Sequence, residues 1–258
     1  MGDNVKVIAI ANQKGGVGKS TTAHALANGL KAKGYSVLCI DLDAQGNLTY
    51  AMGLEPNGAT AYELLTKKAG LPEVIYKTDQ TDTIPASDQL AGLDMELTKT
   101  GKEFRLKEAI SGLGNQYEYI VIDTPPTLSI LTVNALTAAH TVIVPTQADI
   151  FSLQGIGQLY ATIDAVQTYT NPGLYINGIL ITRHNWRTVL SRDIAEMIKE
   201  TAEQLKTSVY KAKIREGVAI KEAQASQQDV FTYAKRAKAV KDLSNFVDEV
   251  IERIDKRS

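Results

Sequence analysis

Cysteine is almost missing. Cys39 stands alone among 258 residues, which excludes an internal disulfide and any cysteine-only metal or cluster site within one chain. It sits in the apolar run Val37-Leu38-Cys39-Ile40, where a buried, inert thiol is expected. Aromatic residues make up only 6%, with Trp186 the sole tryptophan, so aliphatic side chains must build the core. Net charge is nearly absent too, at −1. No whole-molecule field therefore selects for nucleic acid or a charged membrane, and either role needs a local patch. No apolar run nears the ~20 residues needed to cross a bilayer. The first residues lack the charged start, apolar stretch and small-residue cleavage site of a secretory signal. A cytoplasmic protein is expected. With 44% hydrophobic residues there is apolar mass for one large core, in a single domain over residues 1–258.

Short apolar runs alternate along the chain with longer segments of helical period. Strands are expected at 5–11, 36–41, 119–123, 141–145 and 174–182, with a short one near Thr83-Ile84. Helices are expected from Lys19 to Gly34, with Ala23, Leu26, Ala27 and Leu30 on one face, and at 102–113, 130–139, 152–169, 188–206 and 236–254. This alternation argues for an α/β fold, a mostly parallel twisted sheet with helices on both faces. Ligands of such sheets sit outside the carboxyl ends of the strands. The segments 12–18, 41–47 and 123–126 all follow strands, so all three should gather on that rim.

Between the first strand and first helix lies Asn12-Gln13-Lys14-Gly15-Gly16-Val17-Gly18-Lys19-Ser20-Thr21. Its end fits the phosphate-loop pattern G-x-x-x-x-G-K-S/T, in which backbone N–H groups wrap the phosphates of ATP or GTP. The first glycine position holds Gln13 instead, glycines enter at 15 and 16, and an additional lysine stands at 14. The loop also opens a helix, whose N-terminus favours anions. Lys19 is expected at the β- and γ-phosphates, and Ser20 at Mg2+. Asp123 ends an apolar strand, where a carboxylate reaches a hydrated Mg2+ or else shapes the turn Thr124-Pro125-Pro126. Asp41 and Asp43 share one side of an extended chain. One can orient an attacking water while the other holds metal-bound water; the residues alone leave open which.

The run from Lys14 to Thr21 resembles the deviant Walker A motif of the ParA/MinD ATPases. Asp41-Leu-Asp-Ala-Gln-Gly-Asn47, Tyr119-Ile-Val-Ile-Asp-Thr-Pro-Pro126, Leu131-Thr-Val-Asn-Ala-Leu-Thr137, Pro145-Thr-Gln-Ala-Asp149 and Asn185-Trp-Arg-Thr188 continue the resemblance. It covers essentially the whole chain and is closer to ParA/Soj partition proteins than to MinD. It implies a P-loop NTPase that uses ATP and Mg2+ and hydrolyses ATP slowly. Gly15, Gly16, Val17, Gly18, Lys19, Ser20 and Thr21 are then the phosphate cradle. Lys14 is the implied signature lysine, reaching the nucleotide of the opposite subunit in an ATP-sandwiched homodimer. Asp43 matches the hydrolytic aspartate, and Asp41, Asp123 and Ser20 the magnesium shell. Asp149 stands where relatives usually carry glutamate at the dimer-facing nucleotide edge. Ile214-Arg215-Glu216 replaces an Ile-Pro-Arg segment on the base side, so the proline is absent.

The resemblance further implies non-specific DNA binding, a ParB-like centromere-binding partner that stimulates hydrolysis, and a nucleoid-associated location. Its task is then segregation of plasmid, chromosome or mobile-element DNA. Arg187 matches one DNA-binding position, while a second falls on Ala219. Residues 206–241 hold nine Lys or Arg against three acids, making Lys213, Lys235, Arg236 and Lys238 further candidates. Leu243, Phe246, Val247, Val250, Ile251 and Ile254 recur at helical spacing, which suits a core-facing helix better than a membrane-binding one. The rival expectations are a MinD-like membrane-positioning ATPase and an ATP-dependent amide-forming ligase of the dethiobiotin or cobyrinate type.

Overall fold

Segments such as Lys6–Ile10 and Tyr119–Asp123 carry apolar side chains at nearly every position instead of alternating, the pattern of strands covered on both faces. In the computed structural model, which describes residues 5–149, 151–184 and 189–257, these segments do form a doubly covered sheet. Its strands are β1 (Lys6–Ile10), β2 (Val37–Asp41), β3 (Asp82–Ile84), β4 (Tyr119–Asp123), β5 (Thr141–Gln147) and β6 (Tyr175–Thr182). They lie in the order β3-β2-β4-β1-β5-β6, and every pairing is parallel.

Alternate residues serve the two faces. Val7, Ala9, Leu38, Ile40, Ile120, Ile122, Val142 and Val144 point into one core cluster; Ile8, Ile10, Val37, Cys39, Val121 and Ile143 point into the other. The first cluster is closed by α2 (Arg105–Ser111), α3 (Ile130–Ala138), α4 (Phe151–Tyr169) and α5 (Val189–Gln204). The second is closed by α1 (Lys19–Ala32), α6 (Val218–Ala225) and α7 (Lys238–Asp255). Leu243, Phe246, Val247, Val250 and Ile254 of α7 are all buried there, so its apolar stripe faces the core, as its spacing predicts. Among the described residues no helix is long and apolar enough to cross a membrane.

Most sequence-based boundaries hold within two residues, and β4 coincides with its expected span. Two differences stand out. β5 runs on to Gln147, because Thr146 and Gln147 pair with Ile181 and Thr182 of β6. Helix α6 has too thin an apolar signal to be seen in the sequence; Ile220 and Ala223 are its buried residues.

Two details fix α1 in place. Gly29 brings its backbone so close to α7 and to Phe231 that a Cβ there would lie 2.6 Å from Val247 Cγ2. On α1, buried His24 lies 2.8 Å from Gln80 Oε1, which also accepts from Asn28. Gln80 in turn donates to the carbonyls of Ala51 and Gln227. Burial lowers the His24 pKa against the opposing pull of Gln80 and Asp229.

Gly29→Val has no room for its side chain and is expected to cost about 2–3 kcal/mol in urea-melt stability. His24 supplies a pH prediction. Its folded pKa lies below the unfolded value near 6.5, so the unfolded chain takes up the proton first as pH falls. The stability contributed by neutral His24 is whole above about pH 6.5 and declines below it, by at most ~1.4 kcal/mol per pH unit. Melts between pH 7.5 and 5.5 should therefore fall more steeply for the wild type than for His24→Asn.

Candidate functional site

Parallel strands bring their carboxyl ends to one rim, and the register decides which side chains meet there. Asp41 at the end of β2 and Ile10 at the end of β1 both pair with Asp123 at the end of β4. The chain leaving β1 becomes the glycine-rich loop. Gly16 and Gly18 take φ of +74° and +88°, a region open to glycine and costly for other residues. Gly18 gives α1 no side-chain cap, so the first-turn N–H groups are left to an anion.

Three side chains hold this loop against the neighbouring strands. Asn12 donates to Pro145 O at 2.7 Å, Gln147 to Gly16 O at 3.0 Å, and the Thr182 hydroxyl to Val17 O at 2.7 Å. The cleft in front of it is lined by Gly15, Gly16, Gly18, Lys19, Ser20 and Thr21, and on the facing side by Asp43, Gln45, Asn47, Tyr50 and Pro126.

The two lysines of the loop part company. Lys19 is buried, with its Nζ 3.4 Å from Lys14 O. Burial lowers its pKa, while Asp123 and Asp43 pull the other way. Lys14 is absent from the cleft lining. Its ammonium pairs with Asp149 and lies 6.0 Å from the Phe151 ring centroid. Partial burial raises the Asp149 carboxyl, but the Lys14 charge beside it outweighs that and holds it below its ordinary range.

The three acids also differ. Asp41 is fully buried and both its oxygens are engaged: Oδ1 accepts from Asp43 N at 3.0 Å, and Oδ2 from Thr49 N and Oγ1 at 2.8 and 2.7 Å. Burial still pushes its pKa up to about 6. Asp43 is nearly buried at the cleft wall and accepts from Gln45 N at 3.1 Å. Asp123 is fully buried, and among the described residues neither of its oxygens has a hydrogen-bond partner. Burial first, and then the Asp41 carboxylate, hold it well above the usual carboxylate range, although the nearby Ser20 hydroxyl, short of full hydrogen-bond geometry, and the Lys19 charge draw it down. A buried carboxylate without partners is costly. It fits a cation held between the loop and β4, with Asp123 and Ser20 as the protein groups. No trio of His, Cys, Asp or Glu among the described residues forms a stand-alone metal cage.

A second, apolar cleft adjoins the first and is lined by Thr22, Thr182, Ile214, Arg215, Gly217, Ile220 and Leu243. Ile214 and Arg215 thus line this cleft despite the missing proline. The Arg215 guanidinium, however, is paired with Asp242, its Nη2 at 2.8 Å. Of the basic candidates, Lys235, Arg236 and Lys238 are exposed and Lys213 is half-buried; Arg187 lies outside the described residues. Sequence reasoning did not single out Thr49, Gln147, Thr182 or Gln224, whose contacts bridge segments far apart in the chain.

A fold that brings an anion cradle and an unpartnered carboxylate to the same strand ends is that of a P-loop nucleotide triphosphatase. Residues 5–176 match the AAA domain family. The sporulation initiation inhibitor protein Soj of Bacillus subtilis is 38% identical over 95% of this chain and 98% of its own. The chromosome partitioning protein ParA of Caulobacter vibrioides is 38% identical over 96% and 95%. Among solved structures, cobyrinic acid a,c-diamide synthase of Mycobacterium smegmatis with bound ATP analog and magnesium superposes with a TM-score of 0.85. It is 33% identical and covers 98% of this chain and 97% of that one. The chain belongs to the ParA/Soj family of partition ATPases.

Asp123→Asn removes the buried charge and is expected to raise the melting temperature of the nucleotide-free protein by about 2 °C. The same substitution should abolish the added protection that magnesium gives in the presence of nucleotide, read by thermal melts with Mg2+ and with EDTA.

Proposed function

We propose that this partition ATPase works as an ATP-dependent dimerising switch, one that holds DNA non-specifically in its ATP state and releases it after hydrolysis. The observation that carries this reading is the placement of Lys14. It stands in the phosphate loop yet turns its ammonium out of its own cleft toward Asp149 and Phe151. A cation so placed neutralises triphosphate charge when a second copy closes face to face, which makes ATP the glue of the dimer. Phe151, Leu128 and Tyr50 are exposed apolar groups of this rim and suit such a face.

Within one subunit, the loop amides from Gly15 to Thr21 and the Lys19 ammonium hold the phosphates. Asp123 and Ser20 hold magnesium, which when bound offsets negative charge on the triphosphate. Asp41 spends both oxygens on Asp43 N and Thr49; we assign it the closing of the 41–49 loop and support of the magnesium shell from behind. Asp43 orients the attacking water. The apolar cleft at Ile214 and Ile220 receives adenine. Lys213, Lys235, Arg236, Lys238 and Arg187 supply the DNA surface, and a ParB-like protein accelerates hydrolysis. The chain then acts as one domain in the cytoplasm, on the nucleoid. Helix α7 has its apolar face in the core, which speaks against the MinD-like membrane reading. The likeness to a diamide synthase favours a second reading, an amide-forming ligase.

Retention on DNA with ATP, with ADP and across a salt series tests the switch. ATP-dependent retention that falls steeply with salt is expected, the slope following the number of phosphates contacted. Equal weak retention in both nucleotides overturns it, and ATP turnover that awaits a carboxylic-acid substrate favours the ligase. Lys14→Gln should abolish ATP-dependent dimerisation in light scattering while keeping part of the nucleotide binding. Asp43→Ala should leave the ATP dimer trapped on DNA.

A further inference from the structure

The phosphate cleft and the apolar cleft meet at a waist. Gly18, Thr21, Arg183 and Gln224 line both. Thr21 and Gln224 are hydrogen-bonded to each other at 3.2 Å, and Arg183 is the one charged residue of the four. A nucleotide with phosphates in one cleft and base in the other must pass its ribose and α-phosphate through this waist.

The backbone at Arg183 is unusual. Its φ is +48°, a conformation that residues other than glycine, asparagine and aspartate rarely adopt. Neighbours on both sides enforce it. The Thr182 hydroxyl lies 2.7 Å from Val17 O and 3.0 Å from Thr146 O, with its single proton shared between the two carbonyls. On the other side, His184 N donates to Ile214 O at 2.9 Å. The chain therefore passes from the phosphate loop to the apolar cleft in two residues, and Arg183 bridges them. Strain held in place from both sides is found where a side chain must be aimed.

The guanidinium has no ion-pair partner of its own among the described residues, although Glu216, whose carboxyl is lowered first by Lys221, is near enough for the Arg183 charge to lower it further. Glu216, on the wall of the apolar cleft, is paired with Lys221 at 2.9 Å. Among the described residues, no carboxylate forms an ion pair with Arg183, and its side chain is exposed. An exposed arginine whose five donors find no acceptor among the described residues, beside a phosphate path, is matched to a phosphate oxygen.

We propose that Arg183 is a nucleotide-binding residue whose guanidinium closes on the α-phosphate at the junction of the two clefts. The proposal rests on the nucleotide-site reading given above. Unlike the loop lysines, Arg183 acts where diphosphate, triphosphate and monophosphate are alike. It sets nucleotide retention without choosing between ATP and ADP.

Calorimetric titration of the full chain with ADP and with AMP, in magnesium, tests it. Arg183→Met keeps the apolar stem and removes the charge; both dissociation constants are expected to rise about tenfold, as for a lost charge-assisted contact. Competition by adenosine, which has no phosphate, should be unchanged. Arg183→Gly, which relieves the left-handed backbone, should melt no lower than wild type without nucleotide while binding ADP as weakly as Arg183→Met. Wild-type binding matched by Arg183→Met overturns the inference alone. An equal loss for adenosine moves the contact to the base and overturns the α-phosphate assignment. A wild-type chain that binds neither nucleotide overturns the underlying reading of the site.

Discussion

Two buried carboxylates, Asp41 and Asp123, sit opposite one another on adjacent parallel strands, and their neighbours are arranged around that conflict. Like charges at such range in a low-dielectric interior repel strongly. The protein treats the two differently. Asp41 receives three hydrogen bonds and becomes a fixed corner of the loop that carries Asp43. Asp123 receives none and relies on Lys19 for opposite charge. The rim is thus complete in its geometry and incomplete in its charge, a state that a bound cation and phosphates together resolve.

Around this acidic centre the phosphate loop is rigid on one side and accessible on the other. Asn12, Gln147 and Thr182 tie it to β5 and β6 through main-chain carbonyls, which costs the loop none of its N–H groups. Apart from Lys14 N, which donates to Asn12 Oδ1 at 3.0 Å, those remain for an anion. Lys14 and Asp149 lie partly exposed on the open side. The same ten residues therefore combine a preorganised cradle with one long, partly exposed cation that is paired outside it.

Much of this was legible in the sequence, for physical reasons. β4 was read to the residue because an apolar run ends abruptly in Asp123, and the loop because glycines, lysine and hydroxyls keep fixed spacing. Local pattern does not separate Asp41 from Asp43, since what distinguishes their surroundings is Thr49, eight residues beyond Asp41, folding back to occupy Asp41 Oδ2. The apolar cleft was only partly legible. Ile214 lines it, but Arg215 is drawn to Asp242 on α7, a contact no local pattern announces. Arg183 was passed over because an arginine after a strand looks unremarkable until its backbone dihedral and both flanking hydrogen bonds are known.

Gly29 carries one more consequence. Helix α1 spans 14 residues, a rod about 21 Å long at 1.5 Å per residue, with the phosphate cradle at its head. Near its other end α1 presses bare backbone against Val247 of α7. Backbone has no rotamer with which to yield, so any adjustment of this end of α1 falls to the Val247 and Phe231 side chains that it touches.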